Sequence, residues 1–193
     1  MKKVQLGPQT LLYPMPAFLV GADVDGKPNF MTAAWSGIAC STPPMLTVAL
    51  QHHRFTLKGM KEKGVFSINV PSAALVKETD YCGMVSGDRE DKGAACGFHV
   101  FYGVLKTAPM IEECPVNLEC KLVHTLHLGS HALLVGQIEE VHVSEECLSH
   151  GEPDVLKIDP LIYCPGSDKA YYAFGRRLAQ AFSVGKEIKP VKC

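Results

Sequence analysis

Residues 116–128 read VNLECKLVHTLHL, with apolar and polar side chains alternating at a period of two. Val116, Leu118, Cys120, Leu122, Leu126 and Leu128 fall on one face; Asn117, Glu119, Lys121, Thr125 and His127 fall on the other. Successive Cβ atoms of a strand point to opposite sides, so alternation over thirteen residues specifies a long strand with one buried face. The run ALLVGQIEEVHV at 132–143 follows through Gly129-Ser130-His131, which predicts an antiparallel partner. A hairpin of this length needs further strands to cover its apolar side.

Those strands are readable upstream. Residues 15–24 (MPAFLVGADV) predict a strand, Asp25-Gly26 a turn, and residues 29–40 a returning strand. Residues 45–51 and 65–70 predict two more, separated by a short helix over 55–63 that Gly64 stops. Ser72 is placed to cap a helix over 73–84. A last strand near 161–164 and a segment at 170–174 lead to a short C-terminal helix. Six or seven strands joined by short turns, with two to four short helices, predict a mainly β antiparallel barrel or sandwich rather than a parallel α/β sheet. The 193 residues are expected to form a single domain.

Composition narrows the function. The net charge is −1 and no basic stripe is visible, which argues against nucleic acid as a partner. No window approaches a membrane span, and the first residues lack the apolar core of a signal peptide, so a cytoplasmic protein without membrane contact is expected. The eight cysteines are irregularly spaced and form no C-x-x-C, so free thiols are expected. No G-x-G-x-x-G follows a strand, and there is no phosphate-binding G-x-x-x-x-G-K-[ST] or G-x-S-x-G elbow. Glu112-Glu113, Glu139-Glu140 and Glu145-Glu146 are sequence neighbours and read as solvated pairs rather than acid–base couples.

Three places can carry chemistry. The stretch NFMTAAWSGIACSTPP at 29–44 sets small and hydroxylated residues around the chain's only tryptophan, Trp35. Small side chains let a flat, polar-edged ligand approach the backbone. Arg54 and Thr56 precede or open a helix, where amide donors and an arginine fork favour a phosphate, with Ser86, Gly87, Asp88, Arg89 and Lys92 as a second polar loop. The alternative is a solvated helix start and a surface loop. His124, His127 and His131 would share a face on a helix and could then bind zinc, but on the predicted strand His124 and His127 point apart, so no metal is expected. His131 lies at the hairpin tip, facing either solvent or a ligand at the barrel mouth. His52 and His53 end a strand with the same two options.

The ordered set NFMTAAWSGIACSTPPMLTVAL (29–50), RFT (54–56), FSINVPS (66–72), DYCGMVSGDREDK (80–92), LEC (118–120), His131 and Gly136-Gln137-Ile138 resembles the flavin reductase-like proteins with an FMN-binding split barrel. Its flavoredoxin branch is the nearest match, and the resemblance runs from about residue 10 to 180. It implies FMN as cofactor, a homodimer with FMN near its interface, and electron transfer. Asn29, Thr32, Ala33, Ala34 and Trp35 match the strand along the flavin. Cys40, Ser41 and Thr42 match the segment edging the ring. Arg54 and Thr56 match the phosphate side, with Ser86, Gly87 and Lys92 as helpers, and His131 matches a histidine near the flavin. Asp88 stands where many relatives carry arginine. The implied activity is an FMN-dependent oxidoreductase, with no catalytic side chain required, because the cofactor does the redox chemistry. NADH, NADPH or a small redox protein would donate electrons; free flavin, ferric chelate or a protein would accept them. The alternative is a flavin- or haem-binding module without turnover, in which His52, His53 and His131 would serve a haem.

Overall fold

A computed structural model describes residues 1–167 and 169–188. Its main element is a seven-stranded antiparallel sheet: β1 (Phe18–Val24), β2 (Lys27–Ala33), β3 (Ser36–Ser41), β4 (Pro44–Gln51), β5 (Val65–Val70), β6 (Val116–Leu128) and β7 (His131–Val143). The order across the sheet is β2-β1-β5-β6-β7-β4-β3. This is the mainly β, antiparallel architecture expected from the pattern, and the split barrel that the resemblance implies. Asp25 and Gly26, both at positive φ, make the tight turn between β1 and β2.

The edge strands β2 and β3 are consecutive in the chain, yet they pair with β1 and β4 at opposite ends of the sheet. The single strand expected over 29–40 is therefore broken at Ala34-Trp35, where the chain steps across the barrel's seam. The Trp35 carbonyl still accepts from Ala49 N at 2.8 Å. The strand expected over 15–24 is also divided. Met15–Pro16 pairs with Ile162–Cys164, which in turn pairs with Ala170–Tyr172, in a separate three-stranded sheet.

The barrel interior is filled by Val20, Met31, Leu46, Val48, Leu50, Phe66, Ile68, Cys120 and Leu134. Leu57 and Met60 of α1 (Phe55–Lys63) join this cluster. Helix α1 ends at Gly64 with φ 67, as its sequence predicts. Gly59 sets how close α1 lies to β1: a Cβ there would stand 2.3 Å from the Asp23 carbonyl oxygen.

The alternation in β6 is interrupted. Leu122 lies opposite Gly136 but His124 opposite Val135, so Val123 is an extra residue in a bulge. Beyond it the faces exchange. Leu126 and Leu128 turn outward and are 52% and 53% exposed, instead of sharing the buried face of Cys120 and Leu122. His124 and His127 stand on opposite faces of the strand. The polar face of β6 differs from expectation too: Asn117 and Glu119 are buried. Residues 99–111 lie across them. Glu119 accepts from Val104 N at 2.9 Å, Leu105 N at 2.5 Å and His142 Nε2 at 2.8 Å. Asn117 Nδ2 donates to Asn69 Oδ1 and to the Ile111 carbonyl.

After β5, Ser72 occupies the cap position without a side-chain cap bond. A 3-10 turn over Ala73–Leu75 leads into α2 (Val76–Met84), so the helix expected over 73–84 is in two parts. Helix α3 (Lys92–Cys96) starts at Asp91, whose carboxylate accepts from Ala94 N at 3.0 Å. The expected C-terminal helix is only a 3-10 turn at Val184–Glu187 among the described residues; a four-residue helix, Val155–Ile158, precedes the last strands. The seven described cysteines are free thiols; Cys193 lies outside the described residues.

Gly59→Ala tests the α1–β1 contact. Helix propensity alone favours alanine by about 1 kcal/mol. The backbone clash is expected to reverse that and destabilise the fold by about 1–3 kcal/mol, read as a lower urea midpoint. An unchanged or higher midpoint would show that the helix shifts freely.

Candidate functional site

The seam at Ala34-Trp35 opens beside the C-terminal turn of α2. Thr32, near the end of β2, donates its hydroxyl to the Thr79 carbonyl and so fastens the strand to that helix. Gly83 keeps the two apart by no more than a hydrogen: a Cβ would stand 3.3 Å from Thr32 Cβ.

Two cations converge on this turn. Arg54, the N-cap residue of α1, donates from Nη1 to the Gly83 carbonyl at 3.3 Å. Lys92, the first residue of α3, is only 3% exposed and donates from Nζ to the carbonyls of Cys82 and Val85, both at 3.2 Å. Burial pulls Lys92 below the ordinary lysine pKa, and the charge of Arg54 adds to the effect. Among the described residues neither cation has an ion-pair partner; the ion pairs are Lys58–Asp25, His99–Glu113, Lys121–Glu139 and His142–Glu119.

Neutral donors surround the cations. Asn29 is buried in β2 and donates from Nδ2 to Thr56 Oγ1 at 2.6 Å. Thr56 therefore has its own hydroxyl proton available for an acceptor. Arg54, Phe55, Thr56, Val85, Ser86, Gly87, Lys92 and Met31 form one narrow niche. Gly87 is required there, because a Cβ would overlap Asn29 Oδ1 at 1.8 Å. Arg89 N bonds the Ser86 carbonyl at 3.2 Å and closes the loop as a turn.

Arg54 also borders a cleft of about 360 Å³, lined by Ala17, Thr32, Ala34, Asp80, Gly83, Met84, Tyr163, Lys169 and Tyr171. Tyr171 donates to Asp80 Oδ1 at 3.1 Å, and its ring packs against Tyr163 with centroids 5.7 Å apart. Burial, then the bond to Asp80, raises the Tyr171 pKa, so the phenol stays protonated. On the other side of Ala34, a second cleft of about 630 Å³ runs between Gln9–Leu12 and Trp35-Ser36.

The residues singled out from sequence divide into four groups. Asn29, Thr32, Ala34, Arg54, Thr56, Ser86, Gly87 and Lys92 come together around the niche and the cleft. Ala33 instead points into the barrel core. Cys40, Ser41 and Thr42 lie at the outer end of β3 and its turn, and line neither cleft; Cys40 Sγ donates to the Thr42 carbonyl at 3.4 Å. Trp35 and His131 stack on each other, centroids 4.7 Å apart. His131 Nδ1 pairs with Ser130 Oγ at 2.7 Å, and His52 Nε2 with the Gly129 carbonyl at 3.0 Å. Asp80, on α2, lies in the 80–92 segment that carries the resemblance but has no signal of its own, and Tyr163, Lys169 and Tyr171 are not singled out by sequence because a small separate sheet brings them to the cleft.

The sequence matches the description "Flavin reductase like domain" over residues 10–171. The fold superposes on a flavoredoxin from Methanosarcina acetivorans with a TM-score of 0.92 and 42% identity, covering 97% of this chain and 99% of that one. For a flavoredoxin of Desulfovibrio vulgaris (Miyazaki F) the TM-score is 0.89 and the identity 45%, over 96% of this chain and 100% of the other. An uncharacterized protein of Archaeoglobus fulgidus is 36% identical over 145 residues, 75% of this chain and 80% of the relative. The chain belongs to the flavin reductase-like domain family, and the matched segment contains every residue of the niche and of the neighbouring cleft.

Proposed function

We propose that this protein is an FMN-dependent oxidoreductase of flavoredoxin type. The observation that carries the reading is the pair Arg54 and Lys92, two unneutralised cations in one niche beside the Thr56 and Ser86 hydroxyls. A buried ammonium without a counter-charge is costly, and a phosphate relieves it through charge-assisted hydrogen bonds. Thr56, held by Asn29, would donate a hydrogen bond to a phosphate oxygen. Arg54 spans the step from niche to cleft and fixes where phosphate ends and the rest of the ligand begins.

The donor set fits a flavin mononucleotide. The niche, at about 10 Å³, is too small to enclose a phosphate, so the phosphate would sit at its mouth between Arg54 and Ser86, with Thr32, Ala34 and Trp35 toward the ring. Cys40, Ser41 and Thr42 line neither cleft, so a place for them beside the ring rests on the family resemblance alone, and His131 backs the Trp35 indole. FMN, when bound, supplies the electron-transfer chemistry. The chain's task is to hold and orient the ring, to keep water away through Tyr163 and Tyr171, and to bring a partner to the exposed side. Electrons arrive from NADH, NADPH or a small redox protein and leave to free flavin, a ferric chelate or a protein acceptor. The protein acts as a homodimer: Ile38, Leu126 and Leu128 expose apolar surface of a kind that a second copy covers. No described helix is long and apolar enough to cross a membrane.

Arg54→Ala or Lys92→Met should weaken FMN by about 10- to 100-fold and riboflavin little, because only FMN carries the phosphate. Fluorescence titration of the flavin-free protein separates the two ligands, and equal losses would remove both cations from the phosphate role. The sign with pH follows from burial. Lys92 loses its proton at lower pH than an exposed lysine, so FMN affinity should fall as pH rises through that depressed value while riboflavin affinity stays flat.

Purified protein should be yellow, and its oxidised-flavin absorbance should bleach anaerobically with NADH, NADPH or a reduced redox protein. Protein that takes up FMN but bleaches with none of these is a carrier rather than an oxidoreductase. Sedimentation at about twice the 21.0 kDa chain mass is expected for the dimer, and a single-chain mass at micromolar concentration contradicts it.

A further inference from the structure

Behind the niche lies a pair of thiols that hold no ligand in the reading above. Cys82 Sγ and Cys96 Sγ are 4.0 Å apart. Cys82 is in the last turns of α2 and has no solvent exposure. Cys96 ends α3, is partly exposed, and lines an open cleft of about 330 Å³ with Lys77, Glu78, Tyr81 and Ala95. A reagent in the cleft meets Cys96 first, with Cys82 directly behind it. That is the arrangement of an attacking thiol and a resolving thiol. A disulfide bond length of about 2.05 Å requires the sulfurs to close by about 2 Å.

We propose that Cys82 and Cys96 form a redox-active dithiol, which a small-molecule disulfide entering the α2–α3 cleft converts into an intramolecular disulfide that locks α3 onto α2 behind Lys92. Cys96 loses its proton to solvent, and its thiolate attacks one sulfur of the small disulfide, RSSR. The RS–SR bond breaks, one thiolate leaves, and a mixed disulfide remains on Cys96. Cys82, deprotonated in turn, attacks Cys96 Sγ and expels the second thiolate. The protein gives up two electrons and two protons, and RSSR becomes two RSH. Burial pushes the Cys82 thiol up to about 12 and raises Cys96 as well, with Glu78 adding to both. Few thiolates exist at neutral pH, so the exchange is slow there and quickens as pH rises. The same weak acidity makes both sulfurs poor leaving groups, so the bond, once made, resists reduction.

The link would reach the niche through two connections. The Cys82 carbonyl accepts from Lys92, and Cys96 closes the helix that Lys92 opens. The closed loop contains Gly83, Val85, Ser86, Gly87 and Lys92. Its effect on the cofactor rests on the FMN reading above: a stiffer cradle should release FMN about 3- to 10-fold more slowly.

The full chain, treated with hydroxyethyl disulfide near pH 8.5, should lose two mass units. It should yield a Cys82–Cys96 linked peptide under non-reducing conditions, and its flavin-free form should melt roughly 5–10 °C higher. Cys96→Ser should abolish the link and the shift, and Cys114→Ala should keep both. Recovery of Cys82 and Cys96 as free thiols after treatment, or linkage of either to another cysteine, overturns the proposal. A mapped link without the melting shift overturns the lock. FMN release is read separately. A link that forms in protein unable to bind FMN supports the dithiol and refutes the flavin reading; unchanged FMN release in linked, FMN-binding protein refutes the connection through Lys92.

Discussion

The site depends on how two positive charges are kept together without being neutralised. The last carbonyls of an α-helix have no partner within the helix and carry partial negative charge. In α2 and just beyond it, the carbonyls of Cys82, Gly83 and Val85 receive Lys92 and Arg54. A carboxylate would hold the cations more firmly, but it would also cancel the charge a phosphate needs. Backbone dipoles position the cations and leave their charge available. The surrounding architecture serves this turn: Thr32 ties β2 to α2, Gly83 permits the close approach, and Asp91 starts α3 so that Lys92 points back.

Much of this was legible in the sequence, for identifiable reasons. An antiparallel barrel or sandwich follows from period-two runs and short turns, although the break of the 29–40 run into two edge strands does not. The helix over 55–63 and its Gly64 stop were also readable, because both signals are local. Less legible were features set by distant partners. The polar side of β6 reads as solvated, yet Asn117 and Glu119 lie under residues 99–111, their groups satisfied by Asn69, Ile111, Val104, Leu105 and His142. A polar residue in an alternating pattern signals hydrogen bonding as readily as exposure. The bulge at Val123 has no local marker, and it alone turns Leu126 and Leu128 outward.

The candidate site shows the same division. Arg54, Thr56 and Lys92 were readable by chemistry, since a helix start and a polar loop already point to an anion. Thr32 was readable by position, although its hydroxyl is spent on the Thr79 carbonyl rather than left free. Ala33 reads like its neighbours because sequence does not say which of two adjacent small residues faces inward. Tyr163, Lys169 and Tyr171 reach the cleft only through the pairing of Met15–Pro16 with Ile162–Cys164, a contact that no local pattern announces.

The crossover at Ala34-Trp35 has one more consequence. Strands β2 and β3 are the free margins of the sheet, and the dipeptide that bridges them also borders the clefts on either side. A molecule bound there would act as a keystone, bridging two margins that share no hydrogen-bond ladder. Its binding would then be linked to stability, and depleting it would leave the protein with only its empty-state resistance to unfolding and proteolysis.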